Sequence, residues 1–201
     1  SGALGELRVV RSRFIGQAQE PPTKPPPAWR LSRELNGGGI LVNWGCYDLD
    51  YLLGLLGWRI KPRVVLAQCW PVPAAFRSWV APESDAETHF AALICCDGGA
   101  VISFERAELA AAQPDAAWEI IGDRGSLSLY MLPGQGKRLV FYEASARDGV
   151  IERVIWEGDD DWGVGMSGPI EDFAAAIIEG SEPKTSLAHA LVIQRITDAI
   201  Y

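Results

Sequence analysis

"NGGGILVNWGCYDLDYLLGLLG", residues Asn36 to Gly57, is the stretch whose reading decides the fold. Three glycines lead into a leucine-rich segment that also carries an asparagine, two tyrosines and two aspartates. The spacing predicts a helix from about Ile40 to Leu56, closed by Gly57 in the C′ position. At about 100° per residue, Asn43, Tyr47, Asp50 and Gly54 fall in one narrow stripe, with Leu49, Leu52, Leu53 and Leu56 opposite. The polar residues therefore form a face, and two uses of it stay open. Tyr47 could act as a proton donor tuned by Asn43 and Asp50. Alternatively, the polar groups satisfy loop backbone and neighbouring strands. Gly37 to Gly39 lack the preceding strand and the fixed spacing of a dinucleotide fingerprint. Their expected use is to let the proline-rich loop before them approach the helix start.

Working outward, "GELRVVRSRFIG" alternates as a strand that opens the fold, and "QAQEPPTKPPPAW" is an extended loop that proline bars from helix. After the helix, seven strand-like segments follow, from "RVVLAQCW" to "IERVIWEG", separated by turn sequences such as "DGG", "GDRGS" and "PGQGK". "DDDWGVGMSG" reads as a loop. A helix then starts at a Ser167 or Gly168 cap, with Pro169 in its first turn and Gly180 at its end; another starts at Thr185 or Ser186. Three helices and about eight mostly consecutive strands predict an α+β fold: a large, open, mainly antiparallel sheet with helices on one face. Phe90, Ala92 and Ile94 alternate with His89, Ala91 and Leu93, so that strand is apolar on both sides. With no helix to spare for the second face, a second subunit is its expected cover.

A net charge of −8 argues against nucleic acid or an anionic membrane as partner. No apolar run reaches the roughly 18 residues that span a bilayer, and no signal peptide is evident at the N-terminus. Cys46, Cys69, Cys95 and Cys96 match no zinc spacing and read as reduced thiols of a cytoplasmic protein. His89 and His189 have no second imidazole or carboxylate at ligand spacing, so both read as structural, and no metal site is expected. Asp159, Asp160 and Asp161 read as a solvated loop in preference to a cation site. Trp29 beside Arg30 would make a sugar-stacking pair, although packing is the usual use of the chain's tryptophans.

Four stretches together resemble the C-terminal domain of the Gfo/Idh/MocA oxidoreductases, the glucose-fructose oxidoreductase and inositol dehydrogenase superfamily. "GALGELRVVRSRF" is similar to its first strand after the nucleotide domain, and "PAWRLSRELNGGGILVNWGCYDLDYLLGLLG" to its central motif. "WEIIGDRGSLSL" resembles its Gly-Asp-x-Gly hairpin, and "GPIEDFAAAIIEGSEPKTSLAHALVIQRITDAIY" its closing helices. The resemblance implies a glyceraldehyde-3-phosphate-dehydrogenase-like C-terminal domain over residues 1–201, used for substrate binding and dimerisation. It also implies an NAD- or NADP-binding Rossmann domain outside this chain.

Tyr47 stands where most members place a catalytic histidine, and a tyrosine there is the pattern of some branches; Gly45 and Asp50 agree with the motif. Asn43 replaces an aspartate. The implied roles are Tyr47 for proton transfer, Asp50 in its support, and Asn43, Arg30 and Trp29 for a sugar or polyol substrate. The chain alone is expected to bind neither cofactor nor substrate well, and the assembly is expected to be a homodimer or homotetramer. A non-catalytic sensor of dinucleotide or sugar, or a plain dimerisation module, is the alternative.

Overall fold

The computed structural model describes residues 2–160 and 162–201. Eight strands form one sheet in the order β2-β3-β4-β1-β5-β6-β7-β8. They are β1 (Leu7–Gln17), β2 (Pro62–Pro71), β3 (Glu87–Cys96), β4 (Val101–Ala110), β5 (Asp115–Gly122), β6 (Gly125–Leu129), β7 (Lys137–Ser145) and β8 (Gly149–Gly158). Every neighbouring pair is antiparallel except β1 and β4, which run parallel at the centre, with Ser12 beside Phe104 and Phe14 beside Arg106. That single parallel pair exists because the chain leaves β1, makes a long crossover through the helix at residues 41–55, and returns as the β2-β3-β4 meander. The edge strand β2 begins and ends on proline, which keeps its ends from pairing further. The fold class is therefore the α+β class that the sequence predicts.

The helices are α1 (Arg33–Asn36), a single turn capped by Ser32, then α2 (Cys46–Leu55), α3 (Trp162–Glu179) and α4 (Leu187–Ile200). Leu49, Leu52 and Leu53 of α2 and Ile193, Ile196 and Ile200 of α4 share one core with Val10, Phe90, Ile94, Ile102, Phe104, Trp118 and Ile120 of the sheet. Burying each such side chain stabilises the fold by about 1.5–3 kcal/mol. Gly57 ends α2 at φ 61°, with the Trp58 amide donating to the Leu53 carbonyl at 2.8 Å. Ser186 caps α4, its hydroxyl accepting from the His189 amide, and Gly180 closes α3 at φ 65°.

Several expectations need correcting. The predicted helix from Ile40 to Leu56 is not uniform: Leu41–Gly45 is π-helical before α2 begins, a widening of the kind that accompanies functional sites. The segment read as a loop before Ser167 is helical from Trp162, and Pro169 lies inside α3, where its missing amide costs one backbone hydrogen bond. The open face is not uniformly apolar. Leu66, Trp70 and Leu93 are exposed at its β2–β3 side, but the central strands carry ion pairs outward: Arg11 with Glu119, and Arg13 with both Glu105 and Asp115. Glu105 also holds the His89 Nε2 at 3.1 Å, so this histidine does have a carboxylate partner, across the strand pair.

The acidic run also departs from a solvated loop. Asp159 accepts from the Gly136 amide at 2.8 Å and Asp160 from the Tyr130 hydroxyl at 3.3 Å, fastening the chain to the β6–β7 connection. Asp161 and the side chain of Trp162 lie outside the described residues.

One charged residue sits at the centre of the core. Asp48, 0% exposed on the sheet-facing side of α2, accepts from Arg106 Nε at 2.7 Å and Nη2 at 3.2 Å, from Trp118 Nε1 at 2.8 Å and from the Ser12 hydroxyl at 3.0 Å. The Arg106 guanidinium in turn lies over the rings of Phe14 and Trp44, at 4.6 and 5.1 Å from their centroids. A buried ion pair of this kind is tolerated only because each oxygen is bonded, and removing one partner strands the other. Arg106→Met is therefore expected to cost about 3–5 kcal/mol, read as a lower urea midpoint; a midpoint unchanged from wild type contradicts the assignment.

Candidate functional site

The start of the π-helical turn that leads into α2 is positioned by a second buried carboxylate. Glu87, the first residue of β3 and 1% exposed, accepts from the Gly39 amide with both oxygens at 3.0 Å and from the Leu41 amide at 3.0 Å. The Tyr201 hydroxyl, at the C-terminal end of α4, donates to the same carboxylate at 2.8 Å. A negative charge on the free amides of a helix start is favourable for the reasons any N-cap is. The glycines follow from this packing. A Cβ on Gly39 would lie 1.8 Å from the Glu87 carbonyl oxygen, and one on Gly38 would lie 1.9 Å from the Tyr201 hydroxyl. The close approach is thus by β3 and the end of α4, where the sequence suggested the proline-rich loop. Glu87 also takes up the Gly39 and Leu41 amides, and the Gly37 amide bonds the Arg33 carbonyl, so a phosphate would have to displace these partners.

With Asp48 turned into the core, its neighbour Tyr47 is turned out, 60% exposed, with its ring 5.7 Å from that of Trp44. Asn43, one turn earlier and half-buried, donates its amide to the Arg30 carbonyl at 3.2 Å and accepts from the Asn36 amide at 3.2 Å. An aspartate at 43 could accept but not donate and would set a charge against the Arg30 carbonyl oxygen, so the local bonding explains the asparagine. Asn36 also donates to the Gly38 and Arg30 carbonyls and so ties the glycine run to the 3-10 turn Ala28–Leu31 that carries Trp29 and Arg30. The Arg30 guanidinium is held by Glu108 at 2.7 Å, and Trp29 is 51% exposed.

Asp50 is half-buried. Burial raises its carboxyl above the usual range and nearby His189 lowers it in part; no hydrogen bond joins it to Tyr47 among the described residues. The structure thus joins Asn43 to the main chain of Arg30 at the helix start, one turn before Tyr47, while the Arg30 side chain is taken by Glu108 and Trp29 stays exposed. It places Asp50 further along the helix, on the side where His189 of α4 reaches it. Sequence reasoning missed Asn36, Glu108, Glu87 and Asp48. Asn36 stood in plain view at the head of the glycine run; the three acids gain meaning only once strands β3, β4 and β5 are folded against the helix.

Two tyrosines at the edge of this region keep their protons unusually well. The Tyr51 hydroxyl, bonded to the Tyr130 carbonyl at 2.6 Å, is pushed up to about 12 chiefly by burial. The Tyr201 hydroxyl is also pushed up, by burial first and then by the Glu87 carboxylate. In the unfolded chain both ionise near pH 10. The folded state then holds more protons than the unfolded one above that pH, so the stabilisation is complete below about pH 10 and declines as pH rises beyond it. Urea midpoints across that range should fall with pH in the wild type and fall less steeply in Tyr201→Phe; parallel slopes would contradict this.

Residues 1–128 match the family model of the GFO/IDH/MocA C-terminal domain. No curated protein matches the chain. Among solved structures, an NAD binding oxidoreductase from Klebsiella pneumoniae is 21% identical with a TM-score of 0.77, over 99% of this chain and 57% of that one. An apo levoglucosan dehydrogenase is 23% identical with a TM-score of 0.76, over 99% and 57%. An aldose-aldose oxidoreductase from Caulobacter crescentus, complexed with glycerol, is 23% identical with a TM-score of 0.70, over 100% and 54%. The chain thus spans little more than half the length of these structures, and at such identities they show the shared fold. With that fold and the family match over residues 1–128, the chain belongs to the GFO/IDH/MocA family, as its C-terminal domain.

Proposed function

We propose that this chain is the substrate-binding and oligomerisation domain of an NAD(P)-dependent oxidoreductase acting on a sugar, polyol or related hydroxyl compound. The observation that carries the reading is the exposed Tyr47, one turn after Asn43, which is bonded to the Arg30 carbonyl, on a helix that is fixed at its start and along its buried side. Levoglucosan dehydrogenase, of the same fold, has been solved with NADH and with L-sorbose. The glycine run of this chain does not fit a dinucleotide, because the Glu87 carboxylate already sits on the Gly39 and Leu41 amides and would repel a pyrophosphate; the cofactor belongs to a nucleotide domain outside this chain. That cofactor, when bound, supplies or takes the hydride.

The residues of this chain do the rest. Trp29 offers a flat apolar surface to a sugar ring, and Arg30, held by Glu108, presents its remaining donors to hydroxyl groups. Tyr47 Oη gives its proton to the oxygen of the reacting carbon on reduction and, as the phenolate so formed, takes the hydroxyl proton on oxidation. Phenylalanine at 47 keeps the ring and its contact with Trp44 while deleting the proton carrier. Turnover of the full-length protein, assayed against sugars and polyols including levoglucosan with both NAD and NADP, is expected to fall about 10²–10⁴-fold in Tyr47→Phe. Full turnover in that variant, or none in the wild type with any of these substrates, overturns the proposal; the latter outcome leaves sugar or dinucleotide sensing as the use of the fold.

The second half of the proposal concerns assembly. Leu66, Trp70, Leu93 and Val154 are exposed on the side of the sheet that the helices leave bare, flanking the central ion pairs. A two-fold partner laid on that face would cover the apolar margins and leave the charges paired within each subunit. Sedimentation is expected to give a dimer or tetramer at micromolar concentration, and Leu93→Lys, which sets a charge among the apolar residues, is expected to shift it toward monomer. A strict monomer in the wild type contradicts the arrangement.

A further inference from the structure

A groove of about 480 Å³ runs between α4 and the segment joining α2 to β2, and none of Asn43, Tyr47 and Asp50 lines it. Its floor is apolar, formed by Ile60, Val65 and Val192, and its rim carries Lys61, Arg63 and Arg195. Arg63 is paired with Asp97 at 3.3 Å, whereas Lys61 and Arg195 make no ion pair among the described residues. Two uncompensated cations on one rim are a local reversal of sign in a chain of net charge −8.

One wall is built at a conformational cost. Trp58 has φ 57°, immediately after Gly57 at φ 61°. A bulky residue adopts that region only when its surroundings impose it. Closing α2 requires the left-handed turn at Gly57, where the Gly57 amide meets the Gly54 carbonyl at 2.9 Å; it does not require a second left-handed residue. What the second one achieves is to lay the indole flat on the His189 ring, with centroids 4.0 Å apart and planes 3° apart, beside the groove. His189 is held in place by its Nδ1, 3.2 Å from the Lys184 carbonyl.

We propose that this groove binds a small organic anion with a flat apolar body, its carboxylate or phosphate on the Lys61 and Arg195 rim and its body against Trp58 and the aliphatic floor. A simple inorganic anion would leave that floor wet, and an uncharged apolar ligand would desolvate two cations without replacing their water. Only a ligand with both parts answers both surfaces, and the volume lies in the range of small-molecule sites. The site is separate from the Tyr47 face and does not depend on the activity proposed for it.

The test is calorimetric titration of the full-length protein with 2-naphthoate and, in parallel, with uncharged 2-naphthamide. Saturable one-to-one binding of 2-naphthoate, weaker for the amide and unaffected by Tyr47→Phe, is expected. Lys61→Glu/Arg195→Glu, both on exposed side chains, is expected to weaken it by about tenfold or more at low salt. Trp58→Gly, which suits the backbone angle and deletes the ring, is expected to weaken it as well, with circular dichroism reporting that the fold is kept. Absence of saturable binding, equal affinity for the amide, or an unchanged affinity in the charge-reversed variant overturns the proposal.

Discussion

Asp48 and Arg106 decide how α2 lies on the sheet. The pair joins the helix to the parallel centre of the sheet, and its remaining bonds reach Ser12 on β1 and Trp118 on β5, so one carboxylate ties one helix to three adjacent strands. Such a pair stabilises little compared with a well-packed apolar cluster, but it admits very few alternative arrangements, since any slip of the helix would strand a buried charge. Because successive residues on a helix point about 100° apart, burying residue 48 turns Tyr47 outward. The direction of the exposed phenol is thus set by its neighbour in sequence.

Glu87 does for the start of the helix what Asp48 does for its flank. It binds the free amides at Gly39 and Leu41 and gathers Tyr201 from the far end of the chain, so that the middle strand of the meander, the helix start and the end of α4 meet at one carboxylate. The absence of side chains at Gly38 and Gly39 is what admits these partners. Between the two acids the π-helical turn Leu41–Gly45 presents Asn43 to the Arg30 carbonyl, and Gly45 lets the helix settle onto Phe104, where a Cβ would come within 3.2 Å of the ring. A rigid platform carrying a few exposed polar groups is a sound basis for binding and chemistry.

Much of this was legible before folding. The strand alternation, the caps at Gly57, Gly180 and Ser186, and the stripe of Asn43, Tyr47 and Gly54 all follow from local rules, and the structure keeps them. The buried acids were illegible for a physical reason: their meaning lies in partners distant in sequence. Arg106 is 58 residues from Asp48, and Glu87 is 48 residues from Gly39. A hint existed, since Asp48 falls one turn before Leu52 and Arg106 falls two residues after the inward Phe104, placing opposite charges on facing apolar surfaces. Asp50 misled in the opposite way: helical period put it in the stripe with Tyr47, but α4 approaches from that side and brings His189 to it. Pro169 marked a false helix start, because proline is as welcome in a first turn as it is unexpected inside α3.

The most direct measurement is a crystal structure of the full-length protein with NAD(P) and its best sugar or polyol substrate bound. The account predicts the Tyr47 Oη within hydrogen-bond reach, about 2.6–3.2 Å, of the hydroxyl on the carbon that faces the nicotinamide, with Trp29 and Arg30 against the rest of the substrate. A substrate bound away from the Tyr47 face of α2, or a different group on that hydroxyl, would contradict it.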